Sequence, residues 1–292
     1  MIALLIVAQV LRISVPYLFA AAGGLLSERA GIVALTLEGY MLSGAFGAAI
    51  VTYYSGSPAL GLVAGVAAGA LLGSLHAVAT IRFKADQVVS GIALNLLVAG
   101  GCAFSLRLAF DSSANSPRIT ALGDGLGSGL VATLANPLVW GAFVILPAMW
   151  WMLYRTRFGL RVRAVGEHPE AATSVGIGVP RVRYLAVILS GAIAALGGAY
   201  LAFDQHKFTD GMTAGRGFIA LAAVIFGRWE PVRALAACVL FAVAETVQIR
   251  LQGSTALPSQ FVEMIPYALT IVALAGFVGK SAAPAALGRN EG

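Results

Sequence analysis

Apolar runs recur along the chain and are separated by short polar turns. They fall approximately at 2–22, 31–53, 58–80, 87–109, 137–154, 182–203, 217–227, 232–250 and 263–279. About 20 apolar residues in helical geometry cross the hydrocarbon core of a bilayer. The runs do not alternate apolar with polar positions, which excludes a β-barrel. The pattern predicts an all-α, polytopic membrane bundle of about eight to ten transmembrane helices. One domain is expected over 1–280, followed by a flexible tail at 281–292. The run at 217–227 is too short to cross alone, so it is read as a half-helix or as part of a longer tilted one. In LGLVAGVAAGALLG, glycines 61, 65, 69 and 73 recur every four residues and line one helix face. Such a face lets another helix approach closely; SGAFGAA (43–49) and SGAIAALGGA (190–199) have the same character.

Composition supports the membrane reading. Of 292 residues, 59% are hydrophobic and 11% charged, with a mean hydropathy of +0.87. The first run starts at Ile2 without a basic leader, so no cleavable signal is expected. The net charge of +6 comes from arginines between spans, which topology explains better than nucleic-acid binding. If spans alternate, thirteen Lys and Arg fall on one side: Arg29, the pairs at 82/84 and 228/233, six in 155–183, Lys280 and Arg289. The other side collects five, Arg107, Arg118, Lys207, Arg216 and Arg250. The richer side is cytoplasmic by the positive-inside rule, with the N-terminus outside and the C-terminus inside. The largest outer loop, 110–136, is expected to hold a short surface helix.

Catalytic chemistry is hard to find. Cys102 and Cys238 lie in apolar runs and read as small buried hydrophobes. His76, His168 and His206 show no metal-ligand spacing. Gly279-Lys280-Ser281 looks like the end of a phosphate-binding loop, but Leu274 stands where its first glycine belongs. No metal or cofactor is expected, and no G-x-S-x-G or Cys/His pairing suggests an enzyme.

Ionisable groups at membrane depth are costly and therefore candidates for function. Glu245 and Gln248 are three apart on one helix face, Asn95 lies mid-span, and Glu38 sits near the start of the second run. Each is also a plausible interhelical hydrogen-bonding group. Phe218 is a candidate for stacking on a base or sugar ring. The stretch GLLSERAGIVALTLEG (24–39) places Ser27, Glu28 and Arg29 between the first two runs. It reads either as a cytoplasmic turn or as a membrane-embedded break permitted by Gly23, Gly24 and Gly31, which would put those residues near a pathway.

Between the fifth and sixth runs lies RTRFGLRVRAVGEHPEAATSVGIGVPRVR, 155–183. Pro169 suits a first helical turn, Glu167 and Glu170 the positive end of a dipole, and Gly176 a helix C-terminus. The segment predicts a short helix at 170–175 on the cytoplasmic face. The order R-x-R-A-V-G-E-x-P-E-A-A-x-x-x-G-I resembles the coupling-helix region of permease subunits of binding-protein-dependent ABC importers. The likeness is to the branched-chain amino acid, ribose and nucleoside permeases. GLLSERAGIVALTLEGYMLSGAFGA and GRGFIALAAVIFGRWEP (215–231) resemble two further signatures of their nucleoside and simple-sugar branch, so the resemblance covers nearly the whole chain.

The resemblance implies a coupling segment at about 160–180, with Glu167, Pro169, Glu170, Ala171, Ala172 and Gly176 at the contact with a cytoplasmic ATP-binding subunit. It implies a second permease subunit, identical or homologous, and an extracytoplasmic substrate-binding lipoprotein or periplasmic protein that delivers cargo. The chain would sit in the lipid of a bacterial inner membrane. A neutral, hydroxyl-rich cargo suits the modest polar content. The competing readings are an ion-driven secondary transporter, with Glu38 or Glu245 as coupling carboxylate, and a branched-chain amino acid permease.

Overall fold

The computed structural model describes residues 2–112, 114–122, 124, 130–252, 264, 268 and 283–289. Among the described residues the chain is helical, with one isolated bridge between Asn115 and Thr209. The elements are α1 (Ile2–Arg29), α2 (Leu37–Ser55), α3 (Pro58–Ala77, continued by a π-type turn to Arg82), α4 (Gln87–Phe110) and α5 (Leu130–Ala135). Then come α6 (Pro137–Arg155), α7 (Arg157–Glu167), α8 (Pro169–Ser174), α9 (Val179–Asp204), α10 (Arg216–Phe226) and α11 (Pro231–Leu251). Among the described residues, six helices are long and apolar enough to span a bilayer: α1, α3 with its π-type turn, α4, α6, α9 and α11. The expected span 263–279 lies outside the described residues, apart from Met264 and Ala268.

Helix α9 is the central post, with α1, α2 and α3 all packed along it. Two thirds of its apolar window (67%) is buried, against 11% for α4, whose Val89, Leu96, Leu97 and Leu108 face outward. The glycine stripe of α3 explains the tight centre. A Cβ on Gly65 would come within 2.7 Å of the Gly44 carbonyl of α2, and one on Gly73 within 2.8 Å of the Val187 carbonyl of α9. The stripe therefore seats α3 on two helices, the upper half on α2 and the lower on α9.

The 24–39 stretch holds a break in the helix that is buried within the bundle, and it lies later than Gly23 and Gly24 suggest, at Gly31. Helix α1 continues to Arg29, and residues 30–36 are the irregular part. Gly23 and Gly24 remain helical and serve close packing: a Cβ at Gly23 would meet the Ser190 carbonyl at 2.6 Å. Gly31, at φ +90°, is the position where the chain leaves the helix, a conformation that costs glycine little.

The segment between α6 and α9 carries the short α8 expected from Pro169, closed by Gly176 at φ +81°. It also carries α7, whose arginines read in sequence only as topology charges. Gly159, Val162, Val165 and Gly166 are its buried face, spaced at three and four residues as a one-sided helix requires. Thr156 accepts the Gly159 N–H at 3.1 Å and so starts it.

Residues 283–289 are docked instead of frayed. The Ala286 N–H donates to the Gly166 carbonyl (2.9 Å) and the Gly288 N–H to the Gly31 carbonyl (3.2 Å). Ala286 is buried.

Candidate functional site

Helix α10 begins in the interior of the bundle. Its first N–H groups would be orphans in a dry environment, and Glu38 of α2 supplies the acceptor. The Glu38 carboxylate takes the Gly215 N–H at 2.8 Å and the Gly217 N–H at 2.7 Å. Gly217 has no room for a Cβ, which would lie 2.9 Å from that same carboxylate. Thus Glu38, read in sequence as a pathway residue, fastens the N-terminus of the half-helix to the start of α2. A negative group at that position also complements the helix dipole.

One residue further, Arg216 reaches Glu245 of α11 at 2.6 Å, and the Tyr17 hydroxyl of α1 donates to the other Glu245 oxygen at 2.5 Å. Both charged side chains are largely buried, at 21% and 14% exposure. A buried carboxylate is tolerable when it is paired and its oxygens are hydrogen-bonded, and both oxygens of Glu245 are. Four elements therefore meet in one ionic knot. The sequence reading singled out Glu245 by its charge at depth, as a pathway candidate, but assigned Arg216 to an outer loop. Tyr17 escaped because its partner is 228 residues away in sequence.

Above the knot, toward the N-terminal end of α1, a cavity of about 400 Å³ opens between α1, α9 and α11. Leu5, Ala8, Ile13, Pro16, Leu201 and Ile249 give it apolar walls, while Gln9, Arg12, Asp204, Gln205, Arg216 and Arg250 give it polar ones. Arg12 and Asp204 form an ion pair at 2.7 Å on its rim.

At the opposite end, Ser27, Glu28 and Arg29 close the break. Irregular backbone is tolerated at depth only if its polar groups find partners, and here they do. The Ser27 hydroxyl donates to the Ile32 carbonyl (2.9 Å), and Glu28 accepts the Ala34 N–H (3.3 Å). Gln87 accepts the Val33 N–H (2.8 Å), while Asn95 accepts from Gly39 N–H and donates to the Leu35 carbonyl, both at 2.8 Å. The Thr36 hydroxyl lies 3.1 Å from His76 Nδ1. Asn95 is thus a staple for the break, and Gln87 and His76 are two staples the sequence alone did not reveal.

Glu28 and Arg29 each find a separate partner, as neighbours on a helix must. The Trp229 indole N–H donates to Glu28 at 2.5 Å, and Arg29 Nε donates to the Trp229 carbonyl at 2.8 Å. Arg29 also lies 3.7 Å from Glu167 at the end of α7. These three residues therefore join the break to the α10–α11 turn and to the segment that carries α8. They are not gathered with Glu38, Arg216 and Glu245.

Of the remaining candidates, Phe218 is exposed on α10, and Gln248 is half-buried one turn above Glu245 on α11. On α8, Ala172 is buried and Ala171 exposed, with Glu170, Thr173, Ser174, Val175 and Gly176 beside it on the surface. Glu167 faces inward enough to accept the Ala285 N–H at 3.2 Å.

Residues 6–274 match the family model described as branched-chain amino acid transport system / permease component. The chain belongs to this family. The permease is similar to the guanosine ABC transporter permease protein NupQ of Bacillus subtilis (strain 168), with 38% identity covering 97% of this chain and 95% of that one. It is equally similar to the nucleoside ABC transporter permease protein NupC of Lactococcus lactis subsp. cremoris (strain MG1363), at 38% over 98% and 96%. The putative glucose ABC transporter permease protein TsgC13 of Haloferax volcanii is 39% identical over 81% of this chain and 74% of its own. Taken with the spanning helices, these relatives make the chain a multi-pass transport subunit of the ABC type.

Proposed function

We propose that this permease imports nucleosides, guanosine among them, with ATP hydrolysis supplied by a separate cytoplasmic subunit. The observation that carries the reading is full-length similarity to two nucleoside permeases. The site chemistry agrees with it. Arg12 is matched by Asp204 and Arg216 by Glu245, so the outer half presents hydrogen-bonding groups more than a field of one sign, as a neutral cargo needs. The ion-driven alternative calls for a buried carboxylate awaiting a cation. Glu28, Glu38 and Glu245 instead accept from Trp229, two backbone N–H groups, and Arg216 with Tyr17.

In this reading α8 seats in the ATP-binding subunit, and its exposed residues Glu170, Ala171 and Gly176 make the contact with Pro169 shaping the first turn. Ala172 holds α8 to the permease from inside. Motion of α8 passes through α7 and the Arg29–Glu167 pair to the break. A second permease subunit completes the pathway, and an extracytoplasmic binding protein delivers cargo to the α5 and 205–215 region. The N-terminus is outside and the C-terminus cytoplasmic. Ser27, Glu28, Arg29 and Asn95 act by shaping the broken helix, while Glu38, Phe218, Glu245 and Gln248 border the path.

The test is reconstitution with the ATP-binding subunit and binding protein, followed by a ligand screen for stimulated ATP hydrolysis. Guanosine and related nucleosides are expected to stimulate. Stimulation by leucine alone would transfer the permease to the amino acid branch, and by glucose alone to the sugar branch.

A further inference from the structure

The cavity between α1, α9 and α11 holds polar groups that the fold does not use. Arg12 donates to Asp204 through Nε (3.0 Å) and a terminal nitrogen (2.7 Å), both to the same oxygen, Oδ1. The pair is not the two-oxygen fork that saturates a carboxylate, and Asp204 Oδ2 takes no hydrogen bond among the described residues. Gln205, next in the chain, is exposed and its amide makes no hydrogen bond among the described residues. Gln9 accepts Arg250 Nε through Oε1 at 3.1 Å, and its two amide hydrogens make no hydrogen bond among the described residues, which leaves them for another partner. One ionised acceptor and two amide donors thus border a space of about 400 Å³, within the range of small-molecule sites.

We propose that this cavity is a cargo-binding vestibule contained within a single permease chain, and that it takes the adjacent hydroxyls of a pentose or hexose ring. Each sugar hydroxyl both donates and accepts, so a neighbouring pair is matched by a carboxylate oxygen that accepts and amides that donate. Asp204 Oδ2 receives the hydroxyl protons, and Gln9 and Gln205 donate to the hydroxyl oxygens. The apolar face of the ring lies on Ile13, Pro16 and Leu201. The carboxylate disfavours a cargo that brings its own carboxylate or phosphate to that point. The proposal rests on the nucleoside and sugar reading above and deepens it by naming where the ring is held.

The test uses the assembled transporter in lipid nanodiscs, without binding protein, and measures equilibrium binding of labelled guanosine with competition by ribose, 2′-deoxyguanosine and leucine. Guanosine is expected to bind in the millimolar range or tighter, to be displaced by ribose and not by leucine, and to bind better than its 2′-deoxy form. Asp204→Asn is expected to weaken binding about tenfold and Gln205→Leu about threefold, both shrinking the preference over the deoxy form. Gln205→Leu removes a side chain whose amide makes no hydrogen bond among the described residues, so it separates ligand contact from misfolding, and Leu108→Ala on the exposed face of α4 serves as the unchanged control. Wild-type binding that both variants retain in full, or no binding up to about 10 mM by a transporter that takes up guanosine with its binding protein and ATP, overturns the vestibule alone. Failure of the wild type to take up any nucleoside or sugar under those conditions overturns the function reading instead.

Discussion

Arg216 and Glu245 are opposite charges placed where neither would stand alone. Removing one partner of a buried pair leaves the other uncompensated, which costs about 3–5 kcal/mol in buried sites; removing both is milder. Glu245→Gln is therefore expected to lower the thermal transition of the purified permease more than Arg216→Gln with Glu245→Gln together, read by heating in nanodiscs. A double variant less stable than either single one would show that the two groups do not act as a pair. Asn95→Leu is expected to cost about 1–3 kcal/mol by freeing the Gly39 N–H and Leu35 carbonyl of the break, whereas Gln248→Leu leaves stability near that of the wild type. In the loop between α4 and α5, slight burial works to raise the Asp124 carboxyl, but the Ala121 N–H and His206 outweigh it and hold it below its ordinary value. A depressed acid stabilises above its unfolded pKa and loses that contribution as pH falls through the lower folded value. The contacts of 115–119 with 206–210 should therefore loosen below about pH 4, seen as faster amide exchange at Ser116 and Ile119. The same acid sensitivity in Asp124→Asn would assign it to another group.

At the scale of elements, the two sides of short helix α8 separate its proposed docking role from its part in the fold. Ala171 of α8 is on the surface and Ala172 is buried. Ala171→Trp is expected to leave the thermal transition in place and to abolish cargo-stimulated ATP hydrolysis; Ala172→Trp is expected to prevent folding. Normal stimulation in a folded Ala171→Trp permease would move the docking surface elsewhere. Glycines divide in the same way. Gly65→Ala drives a methyl into the Gly44 carbonyl, while Gly100 of α4 has nothing within 4 Å of its would-be Cβ. Gly100→Ala should be neutral or stabilise by up to about 1 kcal/mol, and Gly65→Ala should destabilise, a contrast read from the two melting curves.

These elements also show what a sequence can and cannot say. The α3 stripe and α8 are legible because their signals are local: glycine every fourth residue, and proline and glycine bounding a short helix. Helix α7 is not legible because its arginines read as topology charges and its buried positions include two glycines, Gly159 and Gly166, that look like linker. Of the three glycines that suggest the break, Gly31 is where the chain leaves the helix, whereas Gly23 stays helical and makes room for α9 and Gly24 for Leu37. The knot of Tyr17, Glu245, Arg216 and Glu38 is built from α1, α2, α10 and α11, and no local pattern announces contacts across such separations. Glu245 and Glu38 were found by their charge at depth; Tyr17 had no such mark, and Arg216 had one only through its place at the start of an apolar run too short to cross.

On the scale of the whole molecule, the fold offers a continuous mechanical line. Helix α8 adjoins α7, α7 meets Arg29 through Glu167, and residues 285–288 tie α7 to Gly31 at the break. Beyond the break, Glu38 fastens α2 to α10, and Arg216 fastens α10 to α11 and α1. In the proposed function, force applied at α8 would reach the cavity at the other end through these hydrogen-bonded joints, a shape suited to alternating access. The proposed function is ATP-driven import of a nucleoside by this permease. The most direct measurement is uptake of labelled guanosine into proteoliposomes holding the permease, its ATP-binding subunit and its binding protein, with ATP inside or with only an ion gradient. Accumulation is expected to require internal ATP and to persist without any gradient. Accumulation driven by the gradient with no ATP present would contradict it.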